Sequence, residues 1–228
     1  MKILAMIPAR GGSKGIPRKN IVDFGGRPLI SYSIDAANQS KYIDKVVVSS
    51  DDDEILSIAQ KYGAEIIKRP AELATDIARI DDAIRHVMSV LKEKDNYVPD
   101  FIVLLQPTSP LRTVKTIDSA IKAFIPIAND YDSLCPLRLV ESKVGRINDN
   151  QYFPERPDQL GQQRQELEPL YAECGTVFIF KPEISNNGCF YGKKIYPFVI
   201  EDVAESVDID NDHDLGLASY FFKSRNKK

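Results

Sequence analysis

The chain has 228 residues, of which 43% are hydrophobic and 28% charged, and its net charge is −3. This length and apolar content suit one α/β domain, 1–228, with a good core, and the slight acidity argues against a nucleic-acid partner. No apolar run approaches the roughly 20 residues that span a bilayer, and the widely spaced Cys135, Cys174 and Cys189 form no zinc-type pair, so reduced thiols in the cytoplasm are expected.

The run from Ile3 to Ile7 is short and wholly apolar, and Pro8 stops it, as expected of an interior parallel strand. It leads into charged residues, unlike an export signal. Gly11, Gly12 and Gly15 then let the backbone turn tightly and bring its N–H groups close to a ligand, while Arg10, Lys14, Arg18 and Lys19 add four positive charges. This combination suits a polyphosphate, although neither the P-loop nor the dinucleotide spacing fits, and a plain basic strand–helix loop is the competing reading.

Helical spacing is predicted over 29–37, 51–62, 77–93, 116–125 and 211–222. Strands are predicted at 46–48, 64–67, 101–105, 133–136, 176–180 and 196–200. The alternation implies a three-layer α/β/α fold with a mainly parallel, Rossmann-like sheet and ligand at the strands' carboxyl ends. From 137 to 170 the pattern breaks into a proline- and glutamine-rich excursion, with a second irregular stretch at 185–196. Loops this long inside a domain pack on something, here a second subunit. The basic tail 223–228 is expected to fray. His86 and His213 have no Ser or Cys placed for a triad and read as structural or surface groups.

Two further motifs carry chemistry. In Asp208-Ile209-Asp210 an extended backbone points both carboxylates one way and Ile209 into the core. Converging carboxylates call for a cation, and Mg²⁺, which combines carboxylates with phosphates and water, is the natural one; a solvated helix entry is the simpler alternative. In the run from Leu104 to Arg112, Pro107 and Pro110 stiffen a loop that offers Gln106, Thr108 and Ser109 at a strand end.

In family order, the segments Ala9–Asn20, Arg69-Pro70-Ala71-Glu72-Leu73-Ala74-Thr75-Asp76, Leu104–Arg112 and Ser206–Asp210 resemble the signatures of the CMP-N-acylneuraminate cytidylyltransferases. These CMP-sugar-acid synthetases, nucleotidyltransferases by reaction, activate sialic acid and related nine-carbon acids. The resemblance implies a reaction of CTP with a 2-keto sugar acid, such as an N-acylneuraminate, legionaminate or pseudaminate, giving CMP-sugar acid and pyrophosphate. It implies CTP phosphates held by Arg10, Gly11, Gly12, Ser13, Lys19 and Asn20, with Arg10 and Lys19 also stabilising the leaving phosphates. Arg69 and Ala78 would flank the cytidine, and Asp208 and Asp210 would be the magnesium ligands. Gln106, Lys143, Arg164, Phe190 and Tyr191 would serve the sugar acid, the last four partly across a homodimer. Ala172 and Cys174 stand where many relatives have Arg and Asn, which leaves the identity of the acid open. Two other readings are a nucleotidyltransferase for a different sugar or alcohol acceptor and a non-catalytic nucleotide- or sugar-sensing module.

Overall fold

A computed structural model describes residues 1–225; residues 226–228 of the basic tail and the side chains of Arg164 and Asn187 lie outside the described residues. The elements run β1 (Ile3–Pro8), β2 (Asp23–Phe24), β3 (Arg27–Pro28), α1 (Leu29–Asn38), β4 (Lys45–Ser50), α2 (Asp53–Lys61), β5 (Glu65–Lys68) and α3 (Ile80–Asp95). They continue with β6 (Phe101–Leu104), α4 (Val114–Phe124), β7 (Ser133–Val140), β8 (Gly145–Asn148), β9 (Gln151–Pro154), β10 (Leu170–Glu173), β11 (Phe178–Phe180), β12 (Ile195–Val199) and α5 (Asp212–Arg225).

The main sheet has the order β10-β7-β11-β6-β1-β4-β5, with β12 also paired to β7. β1 lies between β4 and β6 and is parallel to both, and β5 extends the parallel half. β11 runs antiparallel between β6 and β7. The sheet is thus mixed with a parallel centre, as the alternating pattern predicts.

Both faces of β1 are buried because both are covered. Ile3, Ala5 and Ile7 meet Ile30 and Ile34 of α1, Ile55 of α2 and Ile121 and Phe124 of α4. Leu4 and Met6 meet Ile84, Val87 and Leu91 of α3, with Phe178 and Phe180 of β11. A third cluster, including Ile16, Phe24, Leu29, Ile209 and Ala218, seats α5 beside the glycine-rich loop. Each large apolar side chain removed from water contributes about 1.5–3 kcal/mol.

Several expected boundaries change. α3 begins at Ile80, not 77, and Ile77 is 91% exposed. β7 runs through Pro136 to Val140. The six-residue advance from Glu173 to Ile179 faces only a three-residue advance on β7, from Leu137 to Leu134. A wide bulge at 174–177 therefore interrupts the ladder beside Pro136, where a missing N–H is tolerated. The excursion is not structureless: it holds the β8–β9 hairpin, turned by Asp149 and Asn150 with φ of 47° and 61°, and then β10. The beginning of the basic tail, 223–225, completes α5. Among the described residues no helix is long and apolar enough to cross a membrane.

Candidate active site

A cleft of about 580 Å³ opens where the parallel strands end. Pro8 at the end of β1, Arg69 just past β5 and Gln106 just past β6 line it. This is the carboxyl edge at which open α/β sheets take ligands.

The glycine-rich loop supplies one wall through Arg10, Ser13, Lys14, Gly15, Lys19 and Asn20. The Arg10 guanidinium donates to Asp76 at 2.8 Å and to the Thr75 carbonyl at 3.3 Å, and Lys14 pairs with Asp76 at 3.2 Å. These contacts, Lys14 foremost, hold the Asp76 carboxyl below the usual carboxylate range. The buried Asn20 side chain donates to the Arg10 carbonyl at 2.9 Å and so fixes the loop's shape. Gly11 and Gly12 stand outside the lining; the Gly11 N–H donates to Asp51 at 2.9 Å. Arg18, in the left-handed region at φ 53°, turns away to pair with Asp52, which also caps α2.

Opposite the loop, Arg69 is buried, donating to the Ser49 carbonyl at 2.8 Å and the Ser49 hydroxyl at 3.1 Å. Burial lowers its pKa, and Asp51 opposes the shift. Ala78 lines the same wall with Leu73 and Ala74.

The carboxylate pair closes the cleft. Ile209 is fully buried, and its N–H donates to the Thr108 carbonyl at 2.9 Å, which ties the pair to the loop after β6. Asp208 and Asp210 flank it, and both line the cleft, as the alternation predicts. Lys19 reaches Asp210 at 2.9 Å. Gly15 allows a close approach, because a Cβ there would stand 1.9 Å from the Asp210 carbonyl oxygen. Burial pushes the Asp208 carboxyl up and Asp210 adds to the shift, against a hydrogen bond from Thr108 and the charges of Lys19 and Arg112. Asp208 Oδ1 is buried without a hydrogen-bond partner. An orphaned carboxylate oxygen beside a second carboxylate fits a hard divalent cation. Among the described residues no group of three or more His, Cys, Asp or Glu could hold a metal, so phosphate oxygens and water would have to complete its shell.

Of the residues expected to serve an acceptor, Gln106 lines the cleft. Lys143 does not; its ammonium donates to the carbonyls of Leu160 and Gln162 at 3.3 and 2.9 Å. Arg164 begins a short 3-10 turn, Arg164–Glu166, and its side chain lies outside the described residues. Phe190 is 5% exposed and packs against Phe178 and Phe180 of its own chain, with ring centroids 5.5 and 5.2 Å away. Tyr191 stacks on Phe190, and its hydroxyl donates to Glu173 at 2.5 Å. Neither aromatic ring lines the cleft within one chain. Cys174 is buried, its sulfur 3.4 Å from the Thr176 hydroxyl, and burial pushes its thiol pKa up. His86 and His213 are absent from the lining. Sequence reasoning missed Asp76 as the partner of Arg10 and Lys14. No local signal marks it: the stretch Ala71–Asp76 carries a second acid, Glu72, and the basic partners lie far earlier in the chain.

The cytidylyltransferase family pattern matches residues 4–215. The chain is 34% identical over 225 residues to the CMP-N,N'-diacetyllegionaminic acid synthase of Legionella pneumophila, covering 95% of this chain and 94% of that one. It is 36% identical over 202 residues to a pseudaminic acid cytidylyltransferase of Campylobacter jejuni, covering 81% and 86%. Against the N-acylneuraminate cytidylyltransferase of Escherichia coli it is 31% identical over 249 residues and spans about half of that longer chain, 54%. A solved structure of CMP:2-keto-3-deoxy-manno-octonic acid synthetase complexed with CTP superposes with a TM-score of 0.72 over 99% of this chain and 100% of that one. At 16% identity that likeness shows the fold alone.

Proposed function

The chain belongs to the cytidylyltransferase family, and from that premise we propose that it transfers a cytidylyl group from CTP to the anomeric hydroxyl of a nine-carbon 2-keto sugar acid. One arrangement carries this reading: Arg10, Lys14 and Lys19 share a single cleft with the Asp208/Asp210 pair. The relatives named for legionaminic, pseudaminic and N-acylneuraminic acids support the acceptor class.

In this reading Arg10, Lys14 and Lys19 exchange their carboxylate partners for the triphosphate. Arg69 and Ala78 flank the cytidine, and Gln106 meets the sugar acid. Asp208 and Asp210 would hold Mg²⁺, which when bound neutralises phosphate charge and polarises the α-phosphoryl group. The acceptor hydroxyl loses its proton to solvent as its oxygen bonds to the α-phosphorus and the bond to the bridging oxygen breaks, and pyrophosphate leaves with that electron pair. Positioning and charge stabilisation supply the acceleration, so Arg10 and Lys19 act on the leaving phosphates.

The protein works as a homodimer in this account. Ile147, Tyr152, Phe153 and Leu160 stand exposed on the excursion that carries Lys143 and Arg164, and an exposed apolar surface of that kind marks an interface. A monomeric mass at micromolar concentration with full activity would remove the dimer. Free cysteines, with Cys135 and Cys174 buried, fit the reducing cytoplasm.

The test is pyrophosphate release with CTP and Mg²⁺ over a panel of nonulosonic and octulosonic acids, with UTP and ATP as controls. Release with CTP and a nonulosonic acid is expected. Release with UTP or ATP instead, or only with a different class of acceptor, would overturn the reading.

A further inference from the structure

Arg112 is 5% exposed, and among the described residues its hydrogen bonds go to carbonyls and a hydroxyl rather than to a carboxylate. Its guanidinium is instead spent on backbone and one hydroxyl. Nε donates to the Thr176 carbonyl, Nη1 to the Ser33 hydroxyl at 2.9 Å, and Nη2 to the carbonyls of Gln106 at 2.7 Å and Gly175 at 3.3 Å. Asp208 and Glu205 act on its charge only from beyond direct contact, and a buried cation with no directly paired carboxylate is costly, so the geometry its hydrogen bonds enforce is the contribution to examine. All three carbonyls belong to segments without a strand ladder: Gln106 follows β6, and Gly175 and Thr176 lie in the bulge between β10 and β11. Buried carbonyls need donors, and a planar fork can serve several at fixed angles where an ammonium cannot.

The two segments it joins meet at a polar corner of the site. Gln106 Oε1, Ser109 Oγ and Asp208 Oδ2 come within 2.7, 2.8 and 3.2 Å of the point where a Cβ on Gly175 would stand. Ser109 Oγ and Asp208 Oδ1 are buried there without hydrogen-bond partners. The spacing between the loop after β6 and the bulge therefore sets where Gln106 stands. The groups facing the nucleotide, Arg10, Lys19 and Arg69, hang on other strand ends and share no hydrogen bond with Arg112.

We propose that Arg112 is a positioning residue for the acceptor: it staples the Gln106 loop to the Gly175 bulge and so fixes the sugar-acid side of the cleft. The inference rests on the proposed transfer to a sugar acid. It separates acceptor handling from CTP binding, which a general loss of folding would not do.

The experiment compares wild type with Arg112→Gln, Arg112→Lys and Ser33→Ala. Steady-state constants are measured for the acid that the wild type uses, and the CTP dissociation constant is measured by calorimetry. Arg112→Gln should lower kcat/KM for the acid on the order of 100-fold, the size of a roughly 1 Å misplacement. CTP affinity should stay within about twofold, as for sites without shared partners. Arg112→Lys should recover part of the loss, and Ser33→Ala should move the acceptor constants the same way by less; these two carry the test should Arg112→Gln not fold. Unchanged acceptor constants, or CTP affinity falling in step with them, would overturn the role of Arg112 while leaving the reaction intact. A wild type silent with every acid would instead overturn the reaction, and this inference with it.

Discussion

Gly15→Ala probes the seam between the phosphate loop and the carboxylate pair. Gly15 does not occupy the left-handed region, so the substitution strains no backbone angle and acts by contact alone. The new Cβ would stand 1.9 Å from the Asp210 carbonyl oxygen and 3.1 Å from its carbon. The oxygen must retreat by about 1.1 Å before the gap reaches even 3.0 Å. Backbone cannot rotate aside as a side-chain tip can, and forced overpacking of this kind costs about 1–3 kcal/mol. For a chain of this size each kcal/mol lowers Tm by about 2–4 °C, so a drop of about 2–12 °C is expected. The same shift moves Asp210 away from Lys19, and misplacement near 1 Å should cost on the order of 100-fold in kcat. Gly12→Ala is the control: nothing stands within 4 Å of its Cβ, so Tm should hold. Differential scanning calorimetry with pyrophosphate-release kinetics measures both quantities. A Gly15→Ala protein with wild-type Tm and kcat would refute the contact.

Three other perturbations test separate parts of the site. Asp76→Asn frees Arg10 and Lys14 from their partner, so calorimetry should show tighter CTP binding, and the gain should shrink in high salt as exposed charges are screened; unchanged or weaker binding would count against Asp76 as a competitor of phosphate. Gly175→Ala puts a methyl 2.7 Å from Gln106 Oε1 and 2.8 Å from Ser109 Oγ, so KM for the acid should rise while CTP affinity holds, and equal losses in both would contradict the division of the cleft. Asp52 is held below the usual carboxylate range by Arg18, then by the N–H groups it caps, against the effect of burial. Its contribution is therefore complete above the unfolded value of about 3.9 and lost as pH falls through the lower folded value. Asp52→Ala should cost about 0.5–2 kcal/mol in urea unfolding at neutral pH, and the gap from wild type should close in the acid range; a gap that widened there would reverse the assigned sign.

Much of this could be read from residue order because it is set by local pattern. The apolar run of β1, the hydrophobic block of β6 and the placement of Ile209 between two cleft-facing aspartates each follow from one short stretch. Where local pattern misled, a tertiary feature decided the outcome. Ile77 has the spacing of the α3 face, yet it stands outside the helix because the chain is still turning through 71–78. Pro136 looked like a strand end, but it is accommodated where the bulge interrupts pairing. The Asp149-Asn150 turn was readable in principle, since both residue types tolerate the left-handed region that tight hairpins need. The ties between Arg10 and Asp76 and between Lys19 and Asp210 join residues 66 and 191 positions apart. Only the assembled sheet edge brings them together, and no local pattern announces them.

The most direct measurement is phosphorus NMR of the wild-type protein incubated with CTP, Mg²⁺ and a nonulosonic acid. The account predicts that CTP disappears while one phosphodiester signal, from CMP joined to the sugar acid, and pyrophosphate rise in equal amounts. Consumption of CTP to free nucleotide and phosphate without a phosphodiester, or no consumption with any acid, would contradict it.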